Sequence, residues 1–320
     1  MKPKISVIIN GFTQMECSAS KSFPFFEYTT PIDGCIGSVQ KQTYENKEIR
    51  IANGRDERGA GAIRNDAISG ATGDILLFLD ADVVLHDKNT LEKIVEEFDR
   101  TKADVLIGTP QIIADGKLFI NLLSYEYKER IDDMMDGPVD AGATTFMALK
   151  REVVDNVPVP IESPIVKTPN PLFNSGFTDW DYCGLIREAG YEIWHTSDLK
   201  FLHYYQTDFL SYFKKQFWQG WYRFGFIKRF NIVKESYVSN KIMYQPILFA
   251  LLPFSLIFFG ITAFLLNLLV VFFWFTPSVI RFYKIRKDIS VILLLPISFM
   301  RNMFWLLGGM KGVYDYYVKK

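Results

Sequence analysis

Asp80 and Asp82 stand one residue apart at the end of the apolar run Ile75-Leu76-Leu77-Phe78-Leu79. Two carboxylates in this spacing supply hard oxygen ligands for Mg2+ or Mn2+, ions that keep few protein ligands and complete their shell with water and a substrate diphosphate. The triplet alone is common in a chain with 36 acidic residues, and a solvated turn after a strand would look the same. The five apolar residues in front shift the balance. Such an uninterrupted run marks a strand buried on both faces of a parallel sheet, and ligands of these sheets bind just beyond the carboxyl ends of the strands.

Three other groups carry chemistry. Asp179 and Asp181 flank Trp180 where a helical pattern begins that runs through Leu185 and Ile186 to Gly190. A carboxylate in the first turn of a helix is favoured in its ionised form by the dipole. Gly59-Ala60-Gly61-Ala62-Ile63-Arg64-Asn65 joins small residues, which permit close backbone approach, to an arginine able to reach a phosphate. His203 sits with Tyr204 and Tyr205, where a lone histidine is ordinarily structural and becomes a ligand only if the fold returns it to the metal.

These groups need a frame. Strand-like runs at residues 5–9, 47–52, 75–79 and 104–107 alternate with helical patterns, which predicts a βαβ series. After Asp87, a candidate cap, Leu91, Ile94, Val95 and Phe98 recur at helical spacing while Glu92, Lys93, Glu96 and Glu97 face out. A further apolar run covers 142–149. The Pro-rich stretch 158–171 cannot be regular structure for most of its length, and serves as a lid or as a plain surface excursion.

Beyond residue 208 the character changes. From 209 to 320 there are 15 Lys and Arg against 3 Asp and Glu, leaving 21 against 33 in residues 1–208, so a net charge of zero hides a front of −12 and a rear of +12. A basic, very apolar rear argues against nucleic acid and for a membrane with an anionic surface. Residues 209–230 interleave Phe213, Phe217, Trp218, Trp221, Tyr222, Phe224 and Phe226 with Lys214, Lys215, Arg223, Lys228 and Arg229, the pattern of a helix lying in a headgroup layer. Residues 247–280 carry no charge. Their 34 residues make about 51 Å of helix, too long for one crossing, so two short crossings with a turn in 260–267 are expected. Arg281, Lys284, Arg286 and Lys287 follow and keep the hairpin's ends cytoplasmic. A third stretch, 289–307, is interrupted by Pro296 and Arg301 and is read as spanning with Arg301 facing the bundle. The divisions are 1–208, a cytoplasmic catalytic domain; 209–242, interface helices; and 243–320, two to three transmembrane helices. Cys17, Cys35 and Cys183 have no paired or metal-ligand spacing and read as inert thiols in a reducing compartment. Lys2 and Lys4 precede only a short strand-like run, not an export sequence.

Taken in order, residues 4–230 resemble the family-2 inverting glycosyltransferases of the GT-A fold. Ile5-Ser6-Val7-Ile8-Ile9 looks like that family's first strand, Ser38-Val39-Gln40-Lys41-Gln42-Thr43-Tyr44 is similar to its Ser-Val-x-x-Gln-Thr-Tyr, and Ala62-Ile63-Arg64-Asn65 resembles its Ala-x-Arg-Asn. Phe78-Leu79-Asp80-Ala81-Asp82 matches its metal motif, and Asp179-Trp180-Asp181 with Arg187-Glu188-Ala189-Gly190-Tyr191 looks like its base motif and trailing helix. The resemblance implies a GT-A type, Rossmann-like mixed α/β sheet flanked by helices, then an amphipathic interface helix and C-terminal transmembrane helices. It implies nucleotide or diphosphate contacts from Ile9, Asn53, Arg64 and Asp80, Mg2+ or Mn2+ on Asp82 with His203, Asp179 as catalytic base, and an acceptor or membrane side at Trp180, Asp181, Trp218, Trp221 and Arg223. Relatives carry Asp-Asp-Gly or Asp-Asn-Gly after the second strand, where this chain reads Ala52-Asn53-Gly54, and Thr178 replaces the usual Glu. The Gln-x-x-Arg-Trp of processive synthases is absent, since Gln216 is followed by Phe217-Trp218-Gln219-Gly220-Trp221, which argues against a long polymer.

Displacement at an anomeric carbon needs a cation for the departing diphosphate and a base for the acceptor's proton. A lipid phosphate is already ionised and needs no base, so a carboxylate at Asp179 favours a hydroxyl acceptor. The expected partners are a nucleotide-sugar donor, a lipid-linked saccharide or glycolipid and membrane lipids, with no nucleic acid. The expected location is the cell membrane, multi-pass, with the catalytic domain in the cytoplasm. A polyprenyl-phosphate sugar synthase and a short-polymer polysaccharide synthase are the alternatives.

Overall fold

Each apolar run of the front half forms a strand, and the strands join one mixed sheet. The computed structural model describes residues 2–11, 31–52, 60–112, 117–132, 134, 136–161, 179–204, 208–231 and 240–318. Asn53, Gly54, Gly59, Cys17, Thr178, Tyr205 and most of the 10–26 and 158–171 loops lie outside them. In chain order the elements are β1 (Ile5–Asn10), α1 (Pro31–Gln40), β2 (Lys47–Ala52), α2 (Ala60–Ser69), β3 (Ile75–Asp80), β4 (Val83–Leu85), α3 (Thr90–Thr101), β5 (Val105–Ile112), α4 (Leu118–Asp132), β6 (Gly137–Val139), β7 (Phe146–Lys150), α5 (Arg151–Asn156), α6 (Asp179–Glu188), β8 (Ile193–His203), α7 (Phe209–Phe230), α8 (Asn240–Arg286) and α9 (Leu294–Val318). They fall into two compact units. The first is Met1–Ile113, Met134–Tyr205 and Ile232–Tyr237, and the second is Ala114–Asp133, Gln206–Asn231 and Val238–Lys320.

The first unit holds the sheet, ordered β2-β1-β3-β7-β5-β8-β4 with β6 paired to β8. β1 runs parallel to both β2 and β3, and Asn10 stands in register with Ala52 and Asp80, so three strands end at one level. β7 enters antiparallel beside β3 with Phe146 opposite Leu79, which brings the residues just before β7 to that same level. Ile5, Val7, Ile9, Leu77 and Leu79 are fully buried with Cys35 and Val39 of α1. Each large side chain so buried contributes about 1.5–3 kcal/mol.

The Ser38 to Tyr44 motif is structural. Ser38 Oγ accepts from Leu85 N, Gln42 donates to Asp87 O and accepts from Leu91 N, and Tyr44 donates to Pro3 O, so α1 fixes the chain that follows Asp82.

Several details depart from the sequence reading. β5 runs on to Ile112 because it pairs with β8 through a register shift after Ile107; Gly108 fits there, where a Cβ would lie 2.6 Å from Leu199 O. Asp87 does not cap α3: the N-cap is Asn89, and the Asp87 carboxylate instead accepts from Lys93 Nζ at 2.7 Å. Glu97 is buried rather than outward, because Arg100 holds both its oxygens at 2.8 and 2.6 Å and compensates the desolvation.

The second unit is helical. α8 breaks at Gly260, whose φ of 77° only glycine adopts without strain. Phe249, Leu252 and Val271 share one buried cluster, which a straight helix would forbid by holding 249 and 271 about 33 Å apart, so α8 turns back there, within the expected window. A 3₁₀ segment, Ile289–Leu293, precedes α9, and Pro296 falls in the first turn of α9, where a missing N–H costs nothing. α9 therefore continues past the expected end at 307. Arg301 is buried, paired with Glu126 and bonded to Gln245. α7 packs on α9 at backbone contact: a Cβ at Gly308 would meet Phe217 O at 1.9 Å, and at Gly220 Trp305 O at 2.2 Å. The helical stretches Leu248–Lys284 and Ile289–Tyr317 are long and apolar enough to cross a membrane.

Candidate active site

Asp80 closes β3 at the common level of the strand ends, and its backbone N–H donates to Thr145 O at 3.2 Å, locking β3 to the segment before β7. Arg64 rises from α2 and is 2% exposed. Its guanidinium lies 3.6 Å from Asp80 Oδ1, donates to Thr144 Oγ1 at 3.2 Å and stacks 5.0 Å above the Phe78 ring. Thr144 in turn donates to Asp179 Oδ1 at 2.6 Å. One chain of contacts therefore runs from Asp80 through Arg64 and Thr144 to Asp179. Asp179 is the first residue of α6, as its spacing predicts, and is half-buried. α6 ends beside Gly190, whose φ of 90° allows Gly190 N to return to Arg187 O.

On the other side of Asp80, β8 returns His203 to the site. His203 is paired with Val83, its Nε2 lies 3.4 Å from Asp82 Oδ2, and Tyr204 N donates to Asp82 O at 2.9 Å. The lone histidine is thus brought beside Asp82 by strand pairing. Burial, then the like charge of Asp82, raises the Asp80 carboxyl above the ordinary range, with Arg64 pulling the other way. Burial raises the Cys35 thiol strongly, aided by the charges of Asp82 and Asp80, which keeps it an inert thiol as expected.

Among the described residues no three His, Cys, Asp or Glu side chains form a ready metal cage. The residues present nevertheless fit a divalent cation held mainly by phosphate and water. Asp82 Oδ1 is buried and has no hydrogen-bond partner among the described residues, which leaves one hard oxygen for an ion, with the His203 imidazole close to the other.

The remaining expected site residues divide. Asp181 is fully buried within α6, while Trp180 is half-buried. Ile9 has its side chain in the core, leaving only its backbone at the strand end. In the second unit Trp221 and Arg223 are buried: Trp221 Nε1 donates to Asp315 at 2.9 Å and Arg223 lies 5.4 Å from the Trp305 ring, with Trp218 half-buried against Trp221. The small residues near Arg64 have another use than expected. A Cβ at Gly61 would lie 2.2 Å from Pro160 O, and Asn65 bonds both Val159 O and Val159 N, so α2 binds the start of the Pro-rich stretch. Thr144 is the residue the sequence reading missed. Its signal is weak, a threonine pair at the mouth of an apolar run, and only the antiparallel entry of β7 gives it meaning.

Residues 45–157 match the family model described as Glycosyl transferase family 2, a span that includes Arg64, Asp80, Asp82 and Thr144. No curated protein sequence matches the chain. Among solved structures the chain is similar to the mannosyltransferase PcManGT from Pyrobaculum calidifontis in complex with GDP-Man and Mn2+ (13% identity, 98% of this chain and 88% of that one, TM-score 0.49). It is also similar to S. aureus TarS (14% identity, 80% and 44%, TM-score 0.40) and to A197 from STIV (17% identity, 63% and 86%, TM-score 0.37).

Proposed function

From the premise that the chain carries a glycosyl transferase family 2 domain, we propose that the protein is a membrane-anchored inverting glycosyltransferase. It moves a sugar from a nucleotide diphosphate to a hydroxyl of a lipid-linked saccharide or glycolipid. The observation that carries this reading is the convergence of Asp80, Asp82, Arg64, Asp179 and His203 around the carboxyl end of β3. Ligands of parallel strands bind there.

The donor lies beyond the ends of β1 and β3 with its nucleotide part against Asp80, which Arg64 holds in place. Asp82 and His203 would hold Mg2+ or Mn2+, which would offset the charge of the departing diphosphate. Asp179 stands at the first turn of α6, and its Oδ2 takes the proton of the attacking hydroxyl. The acceptor oxygen bonds to the anomeric carbon as the bond to the diphosphate breaks on the opposite face, so configuration inverts. A carboxylate base suits a hydroxyl acceptor. That the acceptor is lipid-borne is supported by the apolar hairpin of α8, where Ile257, Phe258, Phe259 and Ile261 are 61–73% exposed, a surface that water does not favour. The basic residues after residue 280 support a cytoplasmic catalytic domain.

The test is a thermal-shift screen of nucleoside diphosphates and nucleotide sugars, each with Mn2+, Mg2+ or EDTA. One nucleotide family raises the melting temperature only with metal, because ligand binding to the folded state alone stabilises it. The absence of any metal-dependent shift across the panel contradicts the reading.

A further inference from the structure

Thr144 is 2% exposed and sits between two charged groups of opposite sign. Arg64 has only donors, so the proton of the Thr144 hydroxyl cannot point to it; it points to Asp179 Oδ1, at 2.6 Å, while Arg64 Nη1 donates to the hydroxyl oxygen at 3.2 Å. The direction of every bond in the chain is thereby fixed, and each polarises the next. We propose that Thr144 is a positioning residue of the transfer reaction, which orients the Asp179 carboxylate and ties it through Arg64 to Asp80 on the nucleotide side. The proposal rests on the glycosyltransferase reading above.

The geometry gives the two oxygens of Asp179 different duties. Oδ1 is taken by Thr144, and among the described residues Oδ2 accepts no hydrogen bond, which leaves it for the proton of the acceptor. Without the Thr144 hydroxyl the carboxylate is free to turn about its side-chain bonds, and a misplacement of about 1 Å costs on the order of 100-fold in rate. Arg64 supplies the second constraint. Its position is set by the Phe78 ring and by Asp80, so Thr144 transmits to the base the placement of the residue that meets the nucleotide.

Two substitutions separate this role from packing. Thr144→Val keeps the shape and loses the hydroxyl; Thr144→Ser keeps the hydroxyl and loses a methyl group. The assay uses the full chain in its native membranes, which supply the lipid-borne hydroxyl acceptor, with Mn2+, and measures release of UDP or GDP from UDP-glucose, UDP-N-acetylglucosamine and GDP-mannose, with Asp179→Asn in parallel. The expected result is that Thr144→Val lowers kcat about 10- to 100-fold with the donor KM within about threefold of wild type, while Thr144→Ser stays within about fivefold of wild-type kcat. A valine variant as active as the serine variant, or more so, assigns the residue to packing and overturns the proposal. Wild-type kcat in Thr144→Val with turnover lost in Asp179→Asn overturns the relay and leaves the transferase reading standing. No turnover of any donor by the wild-type chain overturns both. Should the valine variant not fold, Arg64→Lys keeps a charge but cannot bridge Asp80 and Thr144 together; it is expected to lose kcat as Thr144→Val would, and wild-type kcat in it overturns the proposal.

Discussion

In the proposed reaction Asp82 and Asp179 divide the labour of a single displacement, and each is set up for its part by neighbours rather than by its own chemistry. Asp82 keeps one buried oxygen without a hydrogen bond among the described residues, an arrangement that is unfavourable without a cation and useful with one. Asp82→Ala is therefore expected to abolish the Mn2+-dependent part of nucleotide stabilisation in thermal melts, and an undiminished shift contradicts the assignment. Asp179 has its Oδ1 fixed by Thr144 at the first turn of α6. Asp179→Asn should fold and bind nucleotide with metal normally but lose about 10²- to 10⁴-fold in turnover, the range of general base catalysis. Near-normal turnover in that variant removes Asp179 from the mechanism. Glu48, on β2, gives a residue-scale prediction about stability. Desolvation raises its carboxyl, but hydrogen bonds from Ser6, Thr72 and Lys4 outweigh this and hold it at about 2, against an ordinary 4.5. A lowered folded value stabilises above the unfolded value and is lost as pH falls through the folded one. Glu48→Gln should thus be less stable than wild type by roughly 1–2 kcal/mol at neutral pH, a gap that closes between about pH 4.5 and 2. A gap in melting temperature that is the same at pH 7 and pH 2 contradicts the hydrogen-bond account.

The helices and strands were legible where one physical signal dominates. Runs such as 5–9 and 75–79 are apolar because both faces of β1 and β3 are covered, so hydrophobicity alone marks them. Asp179 was placed correctly at a helix start because its pattern is local. Thr144 was not legible, since its position depends on β7 entering antiparallel beside β3, a long-range pairing of Leu79 with Phe146 that local pattern does not encode. The burial of Asp181 was not legible for the opposite reason: Asp179 and Trp180 beside it in sequence are half-buried, while helical geometry turns its own side chain fully inward. The close crossing of α7 and α9 left a trace that went unread, the Gly308 and Gly312 spacing four apart, with a Cβ at Gly312 meeting Trp221 O at 2.4 Å. Small residues one turn apart let two backbones touch. Gly308→Ala is expected to cost at least about 3 kcal/mol, because the clash is with backbone, whereas Gly309→Ala meets nothing nearer than 3.8 Å and should be neutral or gain up to about 1 kcal/mol from helix propensity. Equal melting temperatures for the two variants contradict the crossing.

At the scale of the molecule, the chain sets an acidic stretch, residues 1–208, before a basic, apolar one, residues 209–320. Ile257 is 73% exposed and Phe273 65%, and exposed apolar residues recur along both arms of α8. Contiguous surface of this kind is rare on soluble monomers, and lipid is the solvent that suits it. The protein is expected to stay with membranes through high salt and alkaline carbonate and to leave only in detergent; release by salt alone contradicts the anchor. On the proposed reading, a transferase held there meets acceptors that diffuse in two dimensions. The most direct measurement incubates membranes containing the full chain with labelled nucleotide sugars and Mn2+ and follows label into the lipid phase. The expected result is one donor whose sugar passes to lipid with inversion, with transfer lost in EDTA and in Asp179→Asn; no passage of label to lipid from any nucleotide sugar contradicts the central claim.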